Sequence, residues 1–98
     1  MIYIVATNFV KKEDHEIYLE ITKEQIECTR KEEGCLQYVL AKNDKNPDTL
    51  VYLEKWESPE AFAAHGQTEH MKRIKPLLMP YRYKDTDVQI LEDAHGEF

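Results

Sequence analysis

The segment from Lys11 to Glu33 arranges apolar and charged side chains with the period of an α-helix. At about 100° per residue, the apolar and uncharged polar side chains fill an arc of roughly 200°, and charged side chains fill the rest. A helix of this kind buries one face against a sheet or another helix. The segment therefore predicts one long amphipathic helix packed against the remainder of the chain.

The two edges of this predicted buried face differ in composition. One edge carries side chains typical of a core, namely Ile17, Ile21 and Cys28. The other edge mixes an aromatic, a hydroxyl and an aliphatic side chain, namely Tyr18, Thr22 and Ile26. We expect the mixed edge to line a cavity or to face a second subunit, although Tyr18 could also simply direct its hydroxyl to water.

Strand patterns lie on both sides of this helix. Runs rich in β-branched and aromatic residues at 2–10, 35–43, 49–57 and 86–92 predict four strands. Ser58 and the proline after it predict the start of a second helix, which spans 59–65 and is followed by a further helical piece over 69–78. The order β-α-β-β-α-β predicts an α+β, ferredoxin-like fold, in which helices cover one face of a four-stranded antiparallel sheet. We expect residues 1–98 to form a single domain.

The predicted strands are apolar on both faces. In the first strand, for example, Tyr3 and Val5 alternate with Ile4 and Ala6. Helices cover only one face of such a sheet, and an exposed apolar face of that size is unfavourable on a monomer. We therefore expect a homodimer, a dimeric α+β barrel that pairs through the open sheet face.

Charge and hydropathy exclude two classes of partner. The formal net charge of −6 disfavours nucleic acid, whose binding proteins normally present a basic stripe. No run approaches the ~18 consecutive apolar residues that a membrane span needs. The N-terminal residues show neither a basic leader nor a small-residue cleavage site, so we expect a mature, cytoplasmic protein.

His65 and His70 raise the question of a metal site. Two histidines that bind one metal from a single helix are normally four residues apart, which places both rings on one face. These two are five residues apart, and on a continuous helix their rings would point roughly 140° away from each other. No third ligand lies at a recognisable spacing, so we expect no metal here.

An acid–base interpretation is the main alternative for His65. Glu54 and Trp56 share one face of the third predicted strand, and the following helix returns over the sheet with Phe62 and His65. A histidine beside a carboxylate and aromatic walls is suited to proton transfer near neutral pH. Spacing alone favours the other interpretation, a helix-terminal histidine that stabilises the carbonyl end of its helix.

Two stretches of the sequence are similar to one known family. The runs EGCLQYVL (33–40) and EKWESPEAFAAHGQTEHMK (54–72) resemble the antibiotic biosynthesis monooxygenase family. Within that family, the patterns E-x-W-E-S, A-H and Q-T-x-H-M-K most resemble small bacterial quinol monooxygenases. The resemblance implies a dimeric ferredoxin-like fold whose pocket lies between sheet and helices. It also implies that O₂ oxidises a small electron-rich aromatic substrate, such as a quinol or a polyketide-like phenol, without metal, flavin or other cofactor.

The chemistry that the resemblance implies requires a base, polar partners and apolar walls, because a deprotonated phenol or quinol can pass an electron to O₂. We expect His65 to act as the base or proton relay, oriented by Glu54. Asn8, which is unfavourable inside a strand, and His70 would hold the oxygen atoms of the substrate. The expected substrate-binding walls are Trp56, Phe62, Tyr18, Tyr52 and Thr22.

Other branches of the same family suggest alternatives. A haem-degrading branch also has an asparagine in its first strand, but here the expected place of its histidine ligand falls near Lys75, so the iron would lack an axial imidazole. An isomerase branch acts on a small phosphorylated dione and shares the two histidines; Lys72, Arg73 or Lys75 could bind its phosphate. A ligand-binding dimer without catalysis is the third alternative.

Overall fold

The computed structural model describes residues 1–96, which form a four-stranded antiparallel sheet covered by helices on one face. The strands are β1 (Ile2–Val10), β2 (Cys35–Lys42), β3 (Thr49–Trp56) and β4 (Arg82–Glu92). The helices are α1 (His15–Arg30), α2 (Pro59–His65) and α3 (Glu69–Leu78), with short 3₁₀ turns at Lys12–Asp14 and Met79–Tyr81. The ferredoxin-like fold expected from the element order is confirmed.

The strands are ordered β2-β3-β1-β4 in the sheet, so β1 pairs with both β3 and β4. Burial alternates strictly along β1, because its even-numbered residues face the helices and its odd-numbered residues face away. The register aligns Ile4 with Glu54 of β3 and with Ile90 of β4. This alternation places one row of side chains from each strand on the side of the sheet that faces the helices, although the row on β4 stays largely exposed.

The second and third helices begin where local sequence signals predict. The hydroxyl of Ser58 accepts a hydrogen bond from the Ala61 backbone N–H and starts α2, and Thr68 caps α3 through Met71 in the same way. Helix α2 ends at His65 and α3 begins at Glu69, so three residues separate the two helices. None of the helices within residues 1–96 combines the length and apolar character that a membrane span requires.

Three expectations from the sequence need correction. The first helix is shorter than expected, spanning His15–Arg30 rather than 11–33, and β4 starts four residues earlier than expected, at Arg82. The edge of α1 assigned to the core is also wrong at Ile17, which is 46% exposed. The buried stripe of α1 is instead mostly polar and consists of His15, Tyr18, Thr22, Gln25 and Thr29. Hydrogen bonding within the fold makes these polar side chains compatible with burial.

Candidate active site

A cavity of about 270 Å³ lies between the helix-facing side of the sheet and the helices. The buried apolar residues form two clusters, one around Trp56 and Tyr38 and the other around Tyr18 and Leu78, and the cavity is lined by members of both. Its wall is mostly apolar, with polar groups at two separate ends. Such a mixture is typical of pockets for small molecules.

His65 lies at one end of this cavity. It is the last residue of α2, its side chain is 5% exposed, and its ring packs 5.0 Å from the Trp56 ring, measured between centroids. Its Nδ1 is 2.9 Å from Oε2 of Glu32, which follows α1 in the connection to β2. Nδ1 is thus engaged by a carboxylate, and Nε2 on the opposite side of the ring is the nitrogen available to a molecule in the cavity.

The carboxylate partner of His65 corrects the sequence interpretation. Glu54 was expected to orient the imidazole, but it accepts a hydrogen bond from Nε1 of Trp56 at 2.9 Å instead. Glu32 takes that role because the chain after α1 passes beside the end of α2. The alternative of a histidine that only stabilises a helix end is also disfavoured, since the ring is buried and bonded to Glu32.

His70 binds the same carboxylate from the other side. Its Nε2 is 2.7 Å from Oε2 of Glu32, and the hydroxyls of Thr29 and Thr68 lie 3.4 and 3.3 Å from the same nitrogen. His70 itself does not line the cavity. It therefore fixes Glu32 in place, rather than holding an oxygen atom of a substrate as the sequence suggested.

The geometry overturns the argument used against a metal site. That argument assumed a continuous helix, but the break between α2 and α3 turns both imidazoles toward each other, with ring centroids 6.3 Å apart. Glu32, His65 and His70 each place a possible ligand atom within 4.8 Å of the others. Two imidazoles and a carboxylate are a donor set that divalent transition metals accept. Shared hydrogen bonds account equally well for the same arrangement.

Burial controls the charge of His65. Its pKa lies below the ordinary value, because burial disfavours the imidazolium more than the hydrogen bond that its Nδ1–H donates to Glu32 favours it. His70 also contributes to the lowering. The imidazole is therefore neutral at neutral pH and able to accept a proton, while Glu32 is positioned to stabilise the cation that results.

Glu54 contributes a second ionisable group to the same end of the cavity. It is 6% exposed, and burial raises its pKa to about 7, against the opposing effect of the Trp56 hydrogen bond. Coulombic repulsion from Glu32 raises the pKa further. A carboxyl group with this pKa can accept or donate a proton near neutral pH.

Two phenols beside these groups form a hydrogen-bonded chain. The Tyr52 hydroxyl donates to Oε1 of Gln25 at 2.7 Å, and Nε2 of Gln25 donates to the Tyr38 hydroxyl at 2.6 Å. Burial raises the pKa of both tyrosines above the ordinary value, so both stay protonated. All three side chains line the cavity, which gives its wall polar groups of fixed orientation.

Asn8 lies at the opposite end of the cavity. Its Oδ1 accepts hydrogen bonds from Thr86 at 3.0 Å and from the Tyr18 hydroxyl at 3.5 Å, and the Tyr18 oxygen in turn accepts one from Nε of Arg82 at 3.1 Å. Glu54 is paired with Ile4, four residues before Asn8 along β1. At about 3.3 Å per residue the two ends are therefore about 13 Å apart along the strand.

The structure distributes the expected wall residues unevenly. Of the five, Tyr52 and Phe62 line the cavity, as do Glu54, His65 and Asn8 among the expected polar groups. Three side chains are fully buried behind the wall instead and do not line it, namely Trp56, Tyr18 and Thr22. Trp56 acts on the site indirectly, by packing against His65 and donating to Glu54.

The sequence contained signals for the residues that were missed. Glu32 follows the C-terminus of α1, where the helix dipole disfavours an acid, so its presence indicates another partner. Gln25 is a polar residue on the otherwise buried arc of the same helix, which also indicates a specific hydrogen bond. Arg82 offered no such signal, because the sequence placed it in a loop before β4.

Comparison with known proteins agrees with this fold. The family model described as "Antibiotic biosynthesis monooxygenase" matches residues 1–77. A curated relative from Bacillus subtilis (strain 168), "Putative monooxygenase YcnE", is 35% identical over 72 residues, covering 74% of this chain and 76% of that protein.

Two solved structures are similar over nearly the whole chain. A conserved protein from Methanosarcina mazei Go1 has a TM-score of 0.88 and 36% identity, with 93% of this chain and 90% of that chain covered. A structure described as an antibiotic biosynthesis monooxygenase has a TM-score of 0.88 and 33% identity, with 96% of this chain and 99% of that chain covered. On the extent of the family match and these identities, the chain belongs to the antibiotic biosynthesis monooxygenase family.

Proposed function

We propose that this protein is a cofactor-independent monooxygenase that oxidises a small, electron-rich aromatic substrate, such as a quinol or a polyketide-like phenol, with O₂. The observation that supports the proposal most is the pair formed by Glu32 and His65 at the end of an apolar cavity. A neutral imidazole held by a partly buried carboxylate is suited to act as a general base. The family membership is consistent with an oxygenase of this kind.

The reaction begins with the transfer of the phenolic proton to Nε2 of His65. Glu32 stabilises the imidazolium through Nδ1, and the phenolate or enolate remains in surroundings of low dielectric constant. The electron-rich anion passes one electron to O₂, and the radical pair combines to form a carbon–oxygen bond. The resulting peroxide loses water, so one oxygen atom enters the substrate and the other leaves as water.

Glu54 and the phenols complete the site in this proposal. With a pKa of about 7, Glu54 can supply the proton that the departing oxygen needs. The hydroxyls of Tyr38 and Tyr52 remain protonated and are held by Gln25, so they hydrogen-bond to an oxygen function without ionising. The cavity of about 270 Å³ suits a substrate of one to three rings.

Oxygen uptake with a panel of hydroquinones tests the proposal. Both wild type and His65→Ala are first dialysed against a chelator, so that metal bound by Glu32, His65 and His70 makes no contribution. We expect the wild type to keep its activity and His65→Ala to lose about 10²–10⁴-fold in kcat, the usual contribution of a general base. Equal rates in the two proteins would remove His65 from the mechanism. Loss of wild-type activity on chelation, restored by a divalent ion, would make the cluster a metal centre.

The isomerase remains a second candidate because two cations, Lys75 and Arg82, line the cavity and could bind a phosphate. Of the other cations considered from the sequence, Arg73 is engaged by Glu24 and Glu69 on the surface, and Lys72 does not line the cavity. Turnover of a phosphorylated dione under nitrogen would favour the isomerase, since isomerisation consumes no O₂. Tight binding of aromatics without turnover in either assay would indicate a non-catalytic binding protein.

We also propose that the protein is a homodimer formed through the open sheet face. This face, on the side of the sheet away from the helices, includes Tyr3, Val5, Phe9, Val39, Leu53 and Leu91. Val39, Leu53 and Leu91 are 40%, 38% and 45% exposed. A contiguous apolar surface of this kind favours association, and a second copy of the same sheet is a self-complementary partner.

A further inference from the structure

The end of the cavity farthest from His65 carries two cations that lack acidic partners. Arg82 and Lys75 both line the cavity, and within residues 1–96 neither forms an ion pair. Within the same residues, lysine and arginine side chains form ion pairs only at Lys11, Lys23 and Arg73, so what distinguishes Arg82 and Lys75 is their position in the wall of a mostly apolar cavity. By contrast, Arg73 on the outer surface contacts two carboxylates. Two cationic groups in the wall of an apolar cavity are suited to bind an anionic group of a ligand.

The hydrogen-bonding groups at this end are mainly donors. Arg82 uses Nε to bond the Tyr18 hydroxyl, which leaves its terminal N–H groups for another acceptor. Asn8 has its Oδ1 occupied by Thr86 and Tyr18, and its Nδ2 donates to the Ala6 carbonyl at 3.4 Å, so the second amide N–H is the part available to a ligand. Lysine offers donors only. A ligand that forms hydrogen bonds with these donors must have acceptor atoms at this end of the cavity.

We propose that the substrate is an aromatic carboxylate whose carboxylate group binds Arg82 and Lys75, while its reacting phenol lies at the His65 end. This assignment deepens the proposed function and rests on it for the orientation of the phenol. The two ends are about 13 Å apart along β1 by strand geometry, which a single ring bearing both groups does not span. An elongated substrate of two or three rings does. A planar carboxylate also matches the fork of a guanidinium that is already held through Nε.

Equilibrium binding under nitrogen tests the proposal without turnover. The probe is 6-hydroxy-2-naphthoate, whose phenol and carboxylate lie at opposite ends, and the neutral reference is 6-hydroxymethyl-2-naphthol. We expect the wild type to bind the carboxylate at least about tenfold more tightly, since hydrogen bonds to charged groups are the stronger class. Arg82→Gln should weaken binding of the carboxylate about tenfold and change the affinity for the neutral probe by no more than about twofold.

Lys75→Gln and Lys72→Gln form a matched pair on α3. Both lysines are exposed, so neither change threatens folding, but only Lys75 lines the cavity. We expect Lys75→Gln to weaken carboxylate binding severalfold and Lys72→Gln to leave it unchanged. Equal affinity of the wild type for both probes, or equal losses in Lys75→Gln and Lys72→Gln, would overturn the proposal.

A third probe, 6-hydroxy-2-naphthyl phosphate, separates carboxylate from phosphate recognition. Tighter binding of the phosphate than of the carboxylate would overturn the choice of carboxylate and favour the isomerase. The result is also separate from the oxygenase proposal. If the protein prefers the carboxylate but consumes no oxygen, the anion site is supported and the oxygenase proposal is rejected. If it oxidises neutral quinols but shows no preference for the carboxylate, the oxygenase proposal is supported and the anion site is rejected.

Discussion

One buried and one partly buried carboxylate, Glu54 and Glu32, lie near His65, and their surroundings give them different chemistry. Glu32 is shared between two imidazoles, at 2.9 Å from His65 and 2.7 Å from His70. Glu54 faces the cavity with only the indole N–H as its described hydrogen-bond donor, and its pKa is raised to about 7. We infer that Glu32 is a positioning residue and that Glu54 exchanges protons with the substrate.

The change Glu32→Gln tests the positioning role. We expect kcat for quinol oxidation to fall at least about tenfold with little change in KM, because the amide keeps the shape but cannot stabilise the imidazolium. Glu32 raises the pKa of His65, so its loss should also shift the acidic limb of the pH–rate profile to lower pH. The control is Glu33→Gln, an exposed neighbour. An unshifted profile in Glu32→Gln would contradict the assignment.

Glu54 makes the stability of the fold depend on pH. Because its pKa in the folded state lies above the ordinary value of 4.5, its contribution is fully present below pH 4.5 and is lost as the pH rises through about 7. The loss amounts to at most about 3 kcal/mol. We expect Glu54→Gln to match the wild type in acid and to exceed its Tm at pH 8, as measured by thermal unfolding. A difference in Tm that does not vary with pH would refute the shifted pKa.

At the scale of elements, the connection between α1 and β2 brings Glu32 to His65. Gly34 in this connection has φ of 84°, in the left-handed region, and its backbone oxygen accepts a hydrogen bond from Glu57 N–H at 2.8 Å. A Cβ at Gly34 would lie 2.5 Å from Cβ of Ala61 in α2. The absence of a side chain therefore permits α2 to approach the connection that carries Glu32.

Substitution of Gly34 should accordingly disturb both stability and the site. We expect Gly34→Ala to lower the free energy of unfolding by about 1–3 kcal/mol, through backbone strain and the clash with Ala61. Gly66→Ala is the matched control, since Gly66 has helical φ and a Cβ there meets only an ordinary contact. Chemical denaturation measures both variants. Equal stabilities would show that the close approach of α2 is not required.

Local sequence patterns predicted most helices and strands, because helix capping and side-chain periodicity act over a few residues. The bounds of α2 and α3 agree with the sequence prediction, since the Ser58 cap, Pro59 and the helical period act within a few residues. The start of β4 was missed because residues 82–85 include three charged side chains, a composition that does not favour a strand. Pairing with β1 holds these residues in a strand, although their own sequence does not favour one.

At the scale of the whole molecule, the sheet presents one covered and one open face. The covered face bears the cavity, and the open face bears apolar side chains that no helix within residues 1–96 covers. The proposed homodimer would bury the open face and leave the two cavities on opposite sides of the paired sheets. Dimerisation would then stabilise each subunit without contributing to the chemistry described here.

A charge on the open face should prevent the proposed association. We expect Leu53→Lys to be a folded monomer, because Leu53 lies on β3 in the middle of the sheet and an unpaired lysine is costly to bury. The control is Ile17→Lys, which changes a similarly exposed aliphatic residue on α1. Light scattering coupled to size exclusion gives the mass of each variant. A dimeric Leu53→Lys, or a monomeric wild type, would contradict the proposed interface.

The sequence by itself determined the element order and the fold class, since these follow from periodicity and capping over a few residues. It also indicated His65, Glu54 and Asn8, which all line the cavity. The tertiary structure decided which carboxylate meets which histidine. Glu32 contacts His65 and His70 across 33 and 38 residues of chain, and packing of helices against the sheet, rather than any local pattern, brings such distant side chains together.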